Sequence, residues 1–522
     1  MYDLIIRNGT VIDGTGGPRR KGDVAVKGDR IVRTGGSGET GGHRVIDAAG
    51  LVVAPGFVDV HNHSDGWVLK IPHLLSKTSQ GFTTEALMVD GISYAPVTPT
   101  TAPHWLYYLR SLNGLQFQDY TGWRSISDYM ALLDRRNVQN TIPHIPYANV
   151  RTLACGWGRA VPDDVQVNQM RQEVRKGMEE GAVGVSTGID YPFECFSTTD
   201  EIVEVCEAMA PWGGLYVTHM RYKKGTMGAL KEAVEIGRRA GVPVHISHLK
   251  GTSAGEVDEI LSYVDNVASK EVDFSFDVYP YLPGSTMLSY LLPYEVWEGG
   301  PLNAAARLTD PVVRERFGAL LDSYALKLDQ IHIAWVGSKD NTRYQGMKLQ
   351  EYVAQTGKGT ADALCDLLIE EGLAVLLVFH QGEDRLVDAF LQHPKYMMGT
   401  DGIYFEGGAV HPRMYGSASR LIGPLVRDRK LFSLEEAVRK LSGYPSERFG
   451  LKDRGVIREG AFADLVVFDA EGVRDRATYG EPHQLSEGMR YVIVNGVVVL
   501  EEGKAVEGLG EKLPGRALRF KG

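Results

Sequence analysis

The sequence predicts an α/β protein: a (β/α)8 TIM-like barrel, a small β-sandwich domain built from both chain termini, and an insertion near the barrel mouth. Three observations carry this expectation. A long middle stretch alternates strand-like and helix-like segments, both chain ends are rich in short β-like runs, and one stretch between them loses the alternation. Residues 1–54 hold YDLIIRNGTVIDG, KGDVAVKGDRIVRTG and HRVIDAAGLVVAPG, punctuated at Asn8-Gly9 and Gly28-Asp29 by hairpin-type turn residues. The same texture returns within residues 446–522 as ADLVVFDAEGV and YVIVNGVVVLEEGKAV, where VNG echoes the RNG of the opening strand. One β domain assembled from both ends is the economical inference. Between them, residues 55–445 run GAVGVSTGI, DEIVEVCEAMAPWG, GLYVTHM, MGALKEAVEIGRRAG, VPVHISHLK, VDEILSYVDNVASK and VDFSFDVYPY. That βαβα order implies a parallel sheet, and the run is long enough for an eight-stranded barrel. From about 284 to 345 the pattern loosens into a Pro- and Trp-containing stretch followed by DQIHIAWVG, which reads as an insertion over the barrel mouth.

Bulk properties narrow the function classes. The chain has 522 residues, too many for one ordinary core, so more than one domain is expected. With 43% hydrophobic and 23% charged residues it has the composition of a soluble globular protein. The net charge of -10 argues against nucleic acid or an anionic membrane as partner. Cys155, Cys195, Cys206 and Cys365 form no CxxC pair and no disulfide framework, which fits a reducing cytoplasm. The N-terminus lacks a secretory pattern, and no apolar run is long enough for a membrane span.

The chemistry-bearing residues gather at predicted strand ends. PGFVDVHNHSD (55–65) reads as a short apolar strand ending in His61 and His63. Residues at i and i+2 of a strand face the same way, so the two imidazoles would converge. Standing alone, the pair reads equally well as loop histidines. GLYVTHM ends at His219, VPVHISHLK at His248 and Lys250, and KYMMGTDG at Asp401, while VDFSFDVYPY carries Asp277, Tyr279 and Tyr281. In a barrel these ends share one rim, and independent accidents do not readily place four histidines and an aspartate there. Such N/O ligands with an open position suit a catalytic zinc, which lowers the pKa of a bound water to about 7. Asp401 would remove that water's proton and return it to a leaving nitrogen.

With these segments in order, the chain resembles the amidohydrolase superfamily and, within it, the N-acyl-D-amino-acid deacylase (D-aminoacylase) family. The likeness spans nearly the whole length, through PGFVDVHNHSD, QGFTTEALMVDGISYAP, GAVGVSTGIDYPF, YVTHMR, ISHLKG, DVYPYLPGST, MMGTDG, HPRMYG, SLEEAVRKLSGYPSERFGL, ADLVVFD and VNGVVV. The resemblance implies one metal position at His61, His63 and Asp401 and a second, better-occupied one at His219 and His248. Asp90, in LMVDGIS, stands where the family commonly has a cysteine. As a harder donor it would complete a mixed N/O site or bridge two ions; otherwise it makes an Asp-Gly turn. GAVGVSTGIDYPF has no lysine, and Lys176 lies in the preceding helix-like segment, so the carboxylated-lysine bridge of cyclic-amide relatives is not expected. The resemblance further implies that Lys250, Tyr281 and Arg413 hold the substrate carboxylate, with Tyr191 and Arg221 adjacent. The basic run Arg221–Lys224 reads as a solvated loop face or as a preference for an acidic substrate group. The implied activity is zinc-dependent hydrolysis, with one or two ions, of a small-molecule N-acyl-D-amino acid to a carboxylate and a free D-amino acid. The rivals are a cyclic amidohydrolase or dipeptidase (hydantoinase-like or isoaspartyl-dipeptidase-like) and a non-catalytic scaffold of the same fold.

Overall fold

The computed structural model describes residues 1–36, 41–380 and 382–521. Strands β1 (Tyr2–Val11), β2 (Arg20–Lys27), β3 (Arg30–Thr34), β4 (Gly42–Asp47) and β5 (Val52–Pro55) form the N-terminal part of a nine-stranded sheet. Gly28, at φ 58°, and Asp29 make the tight turn that sets Lys27 of β2 opposite Arg30 of β3. Asn8 plays a different part from the one its Asn-Gly signature suggests. At φ 60° it sits in a register shift inside β1, between Ile6 and Gly9, so it marks a bulge and not a hairpin.

The barrel strands follow. These are β6 (Phe57–Asp59), β7 (Phe82–Leu87), β8 (Asn140–Pro143), β9 (Ile145–Pro146), β10 (Val185–Gly188), β11 (Tyr216–His219), β12 (Val244–Ile246) and β13 (Phe274–Val278). All pair in parallel, as β6-β7-β8 and as β9-β10-β11-β12-β13. Only His144 separates β8 from β9, and its N–H still donates to Leu87 O at 3.1 Å, so the two pieces act as one stave. Valines and other apolar residues from different staves (Val58, Ala86, Ile142, Val183, Val217) share one buried cluster, closed from the far end by Phe449 and Leu451. A filled interior of branched side chains is what this closure requires.

Three antiparallel strands, β14 (Gly284–Met287), β15 (Ile331–Val336) and β16 (Val375–Phe379), form a separate sheet in the order β14-β16-β15. The inserted segment therefore runs past the expected limit of 345, because its central strand comes from AVLLVFH. An apolar run of that length reads the same in sequence whether it joins a barrel or a small sheet. Next comes β17 (Tyr396–Met398), which pairs with β13. Past their ends, β17 and β6 are joined by Val60 N–H to Met398 O (3.3 Å), Asp401 N–H to His61 O (2.7 Å) and a bridge between Asn62 and Gly402. The ring of eight staves closes along this seam.

The chain returns to the first sheet through β18 (Leu465–Phe468), β19 (Met489–Val494), β20 (Val497–Glu501) and β21 (Lys504–Ala505). β18 lies antiparallel to β5, with Leu465 opposite Pro55 and Phe468 opposite Val52, so the two chain ends meet in one ladder. Gly56 alone separates β5 from barrel strand β6, and a Cβ there would lie 2.2 Å from Thr83 Oγ1, so only glycine fits this corner. At the junction the buried Asp464 pairs with Arg454 and accepts from Asn140 Nδ2 (3.2 Å) and Asn495 N–H (2.7 Å). Replacing Asp464 with Ala strands the Arg454 guanidinium without its counter-charge. The variant is expected to lose about 3–5 kcal/mol of stability in denaturant unfolding.

Candidate metal centre

The barrel rim brings the predicted residues together, with corrections of detail. β6 ends at Asp59, so His61 and His63 lie in the extension that pairs with the β17 segment, not within the strand itself. His219 is the last residue of β11, while His248 lies just past β12, Asp90 past β7 and Asp401 past β17. Asp90 (φ 54°), His248 (φ 39°) and Asp401 (φ 47°) all have left-handed backbone. Non-glycine residues pay for that conformation and keep it only where neighbours enforce it. Here His248 N–H donates to Asp277 Oδ1 at 2.9 Å, and Asp401 N–H to His61 O at 2.7 Å.

Three overlapping groups of donors result: His61, His63 and Asp90; Asp90, His219 and His248; and His61, His248 and Asp401. His61 Nε2 lies 3.5 Å from Asp90 Oδ1 and 3.7 Å from Asp401 Oδ1, and His63 Nε2 lies 3.2 Å from Asp401 Oδ1 and 3.6 Å from Asp90 Oδ2. His219 Nδ1 and His248 Nε2 approach to 3.0 Å. His61, Asp90 and His248 each belong to two of the three groups, and of these only Asp90 has the two oxygens that a bridge would use.

The donor set fits a divalent cation on its own evidence. His61 Nε2 and Asp90 Oδ1 are buried polar atoms with no hydrogen-bond partner, an arrangement that costs free energy unless something binds them. The outer nitrogens of His61 and His248 are occupied. His61 Nδ1 lies 3.4 Å from Asp277 Oδ2, and His248 Nδ1 lies 3.2 Å from the Tyr222 hydroxyl. Such outer contacts orient the ring and, once the ring is neutral, fix the tautomer that leaves the inner nitrogen an acceptor. Burial disfavours charge on His248 and pushes it down to about 3, and it also lowers His219, so both rings are neutral at ordinary pH, the form in which imidazole can bind a metal. Burial raises the cost of ionising Asp90, yet His61 beside it holds its carboxyl below the usual range. Burial likewise opposes a proton on His61, but Asp90 and Asp277 outweigh it and hold the imidazole well above its ordinary value. A pocket that concentrates a proton in this way draws a divalent cation more strongly, and metal binding there releases that proton.

Asp277 is the residue whose importance the sequence conceals. It lies fully buried within β13 and receives three donors: His61 Nδ1, His245 Nε2 (2.9 Å) and the His248 N–H. Gly399 makes room for it, since a Cβ there would sit 2.6 Å from Asp277 Oδ1 and 2.7 Å from His61 Cβ. A second buried set, Lys77, Asp59 and Thr400, straddles the closing seam. Lys77 Nζ pairs with Asp59 and donates to Thr400 Oγ1 at 2.9 Å, and Asp59 Oδ1 accepts from the N–H groups of Thr400 (2.8 Å) and His61 (3.3 Å). Lys77 lies in a short helical segment with no strand-end signal, so nothing in the sequence marks it.

A cavity of about 580 Å³ opens beside the donors and is lined in part by His219, His248, Asp401, Tyr191 and Lys250. Lys250 Nζ donates to the Tyr279 hydroxyl (2.6 Å) and to Leu282 O (2.9 Å). Two residues expected to hold the substrate carboxylate, Tyr281 and Arg413, are not among those lining the cavity. Tyr281 is buried with its hydroxyl 3.3 Å from Asp475 Oδ2, and Tyr279 faces the cavity in its place. Arg413 is fully buried. Its Nη1 forms an ion pair with Asp401 Oδ2 at 2.8 Å, without hydrogen-bond alignment, and its guanidinium lies over the Tyr279 ring. Arg221 is spent on Glu232 (3.1 Å) and on backbone carbonyls of the 189–197 segment.

Comparison with known proteins gives a consistent picture. The model of the amidohydrolase family matches residues 44–271 and 354–500. D-aminoacylase of Alcaligenes xylosoxydans xylosoxydans is 33% identical over 506 residues, covering 96% of this chain and 95% of that protein. An N-acyl-D-glutamate deacylase of Bordetella bronchiseptica, solved with zinc and a phosphonate mimic of the tetrahedral intermediate, superimposes with a TM-score of 0.84 at 30% identity, covering 99% of each chain. A solved D-aminoacylase with a binuclear metal centre gives a TM-score of 0.83 at 32% identity, over 99% of this chain and 100% of that one. The geometry generates one expectation of its own. Asp277→Asn removes the carboxylate behind His61 and His248, and chelator competition should find zinc held about 10–100-fold more weakly.

Proposed function

This chain belongs to the amidohydrolase family, and we propose that it uses zinc to hydrolyse the amide bond of N-acyl-D-amino acids, releasing a carboxylate and a free D-amino acid. The observation that carries the reading is the convergence of unpartnered histidine and aspartate atoms on one floor, beside a cavity whose ammonium can receive a carboxylate. Asp90, His219 and His248 would hold one ion, and His61 and His63 with Asp401 a second. Zinc, when bound, supplies Lewis acidity that polarises the scissile carbonyl and brings a bound water to a pKa of about 7.

The remaining work falls to the chain's own side chains. Burial opposes ionisation of Asp401, but the Arg413 guanidinium overrides it and holds the carboxyl well below the usual range. Its Oδ2 is held by Arg413, and Oδ1 faces His63 and the donor floor. Asp401 is thus an ionised, oriented carboxylate that takes the proton of the attacking water and returns it to the departing nitrogen. Arg413 acts on the substrate through Asp401 and not by direct contact.

Lys250 has three N–H donors, and two are committed to Tyr279 and Leu282 O. The third is free for the substrate's α-carboxylate, and Tyr191 closes the opposite wall against His219 with ring centroids 4.8 Å apart. The hydantoinase-like alternative lacks its bridge: β10 offers Val185, Ser186, Thr187 and Gly188 and no lysine, and Asp90 would serve in that role. All four cysteines are free and no helix among the described residues is long and apolar enough to cross a membrane, which supports a cytoplasmic location.

Release of free amine from N-acetyl-D-amino acids tests the reading, with the L enantiomers as control. Asp401→Asn should lower kcat by about 10²–10⁴-fold while metal analysis finds the ion at Asp90, His219 and His248 retained. Equal activity in that variant would remove Asp401 from the proton transfer. Prolonged chelation should abolish turnover, and added zinc should restore it.

A further inference from the structure

Of the three ligand candidates with left-handed backbone, His248 is held by Asp277 and Asp401 by His61, whereas Asp90 is held from β10. Met88 (φ 63°) and Gly91 (φ 69°) are left-handed too, so three such residues within four set the direction of the Asp90 carboxylate. Two backbone groups flank Asp90, the Met88 carbonyl and the Gly91 N–H, and both end on Ser186 Oγ. The hydroxyl donates to Met88 O at 2.6 Å and accepts from Gly91 N–H at 3.2 Å. A carbonyl only accepts and an amide N–H only donates, so the single hydroxyl hydrogen has one place to go. Ser186, Met88 and Gly91 are all buried, so neither backbone group has bulk water as an alternative partner.

The packing around this loop is as restrictive as its hydrogen bonds. A Cβ at Gly188 would lie 2.4 Å from Asp90 O, and one at Gly91 would lie 1.9 Å from Glu194 Oε1. Glycine at both places lets β10 and Glu194 close on the loop, and Glu194 Oε2 is itself fixed by Gly188 N–H at 2.7 Å. The carboxylate so held offers a donor to two of the three groups. Its oxygens face different rings, Oδ1 at 3.5 Å from His61 Nε2 and Oδ2 at 3.6 Å from His63 Nε2. A ligand constellation works only when held within about 0.5 Å of its productive geometry. A carboxylate shared between two groups has less latitude still, because a shift toward one is a shift away from the other.

We propose that Ser186 is a positioning residue for the metal centre: its hydroxyl aims the Asp90 carboxylate and, through Asp90, sets how tightly zinc is held. The inference rests on the zinc-dependent reading above. Zinc affinity of the full chain, read by chelator competition beside a thermal melt that checks folding, tests it. Ser186→Ala should hold zinc about 10–100-fold more weakly than the wild type. Thr187→Val is the control for a general loosening of β10. Thr187 points to the opposite face of the strand and makes a matching pair of buried bonds, to Thr218 Oγ1 (2.8 Å) and the Tyr216 hydroxyl (3.1 Å). Its loss should leave the affinity within about twofold. In an Asp90→Asn background, Ser186→Ala should add less than about twofold, because its effect passes through Asp90. Ser186→Cys keeps a weak donor and should fall between serine and alanine, and it carries the comparison if the alanine variant does not fold. Unchanged affinity in a folded Ser186→Ala protein overturns the assignment. So does equal weakening by Thr187→Val, or an undiminished effect in the Asp90→Asn background. A wild-type chain that holds no zinc overturns the zinc-dependent reading and this inference with it.

Discussion

One buried carboxylate organises the reactive end of the barrel. Asp277 receives the ring nitrogens of His61 and His245 and the backbone of His248, and so ties the β6, β12 and β13 ends to a single anion. A carboxylate at zero exposure is tolerated only when its lone pairs are satisfied, and these three donors satisfy them. Burial opposes its ionisation, yet His61 and His245 hold it below the usual carboxylate range, so it stays an acceptor across ordinary pH. The orientation of His61 and the left-handed turn at His248 both follow from it. Without that anion, two of the metal-facing groups lose the contact that aims them.

A second buried charge does the same for the seam. Lys77 joins Asp59 on β6 to Thr400, the residue before Asp401. The Asp401 carboxylate is therefore not on a free loop: its backbone is bonded to His61 O, and its neighbour is clamped to a buried ion pair. Such a pair adds less to stability than its charges suggest, because both ions lose their hydration. Its value lies in geometry, since removing either partner leaves a charge without compensation at the line where the barrel closes.

The sequence was legible where a short-range pattern reports a long-range arrangement. Alternating βα segments announced the barrel, and polar residues at predicted strand ends pointed to His219, His248, Lys250 and Asp401, which the structure gathers around one cavity. The pairing of β5 with β18 was foreshadowed by the shared texture of the two termini. What stayed hidden depended on side-chain direction or on distant partners. Tyr279 and Tyr281 occupy adjacent positions of the same motif, and only the departure from β13 after Val278 decides which one meets the cavity. Asp277 looked like one more polar residue near a strand end, because His245 and His61 reach it from elsewhere in the chain. The limit of the inserted segment was lost for a related reason: an apolar strand does not state which sheet it joins.

The ladder that unites the chain ends has a temporal side. His61 and His63 lie just after β5, so they emerge early in synthesis, whereas β18, Asp277 and Asp401 arrive far later. Until then the nascent chain carries a chelating pair without walls, buried neighbours or a paired edge for β5. Contacts of such large sequence separation form last, because closing long loops costs entropy before it is rewarded. The donor groups span residues 61 to 401, so the full set exists only after the Asp401 segment has been made and folded against β6.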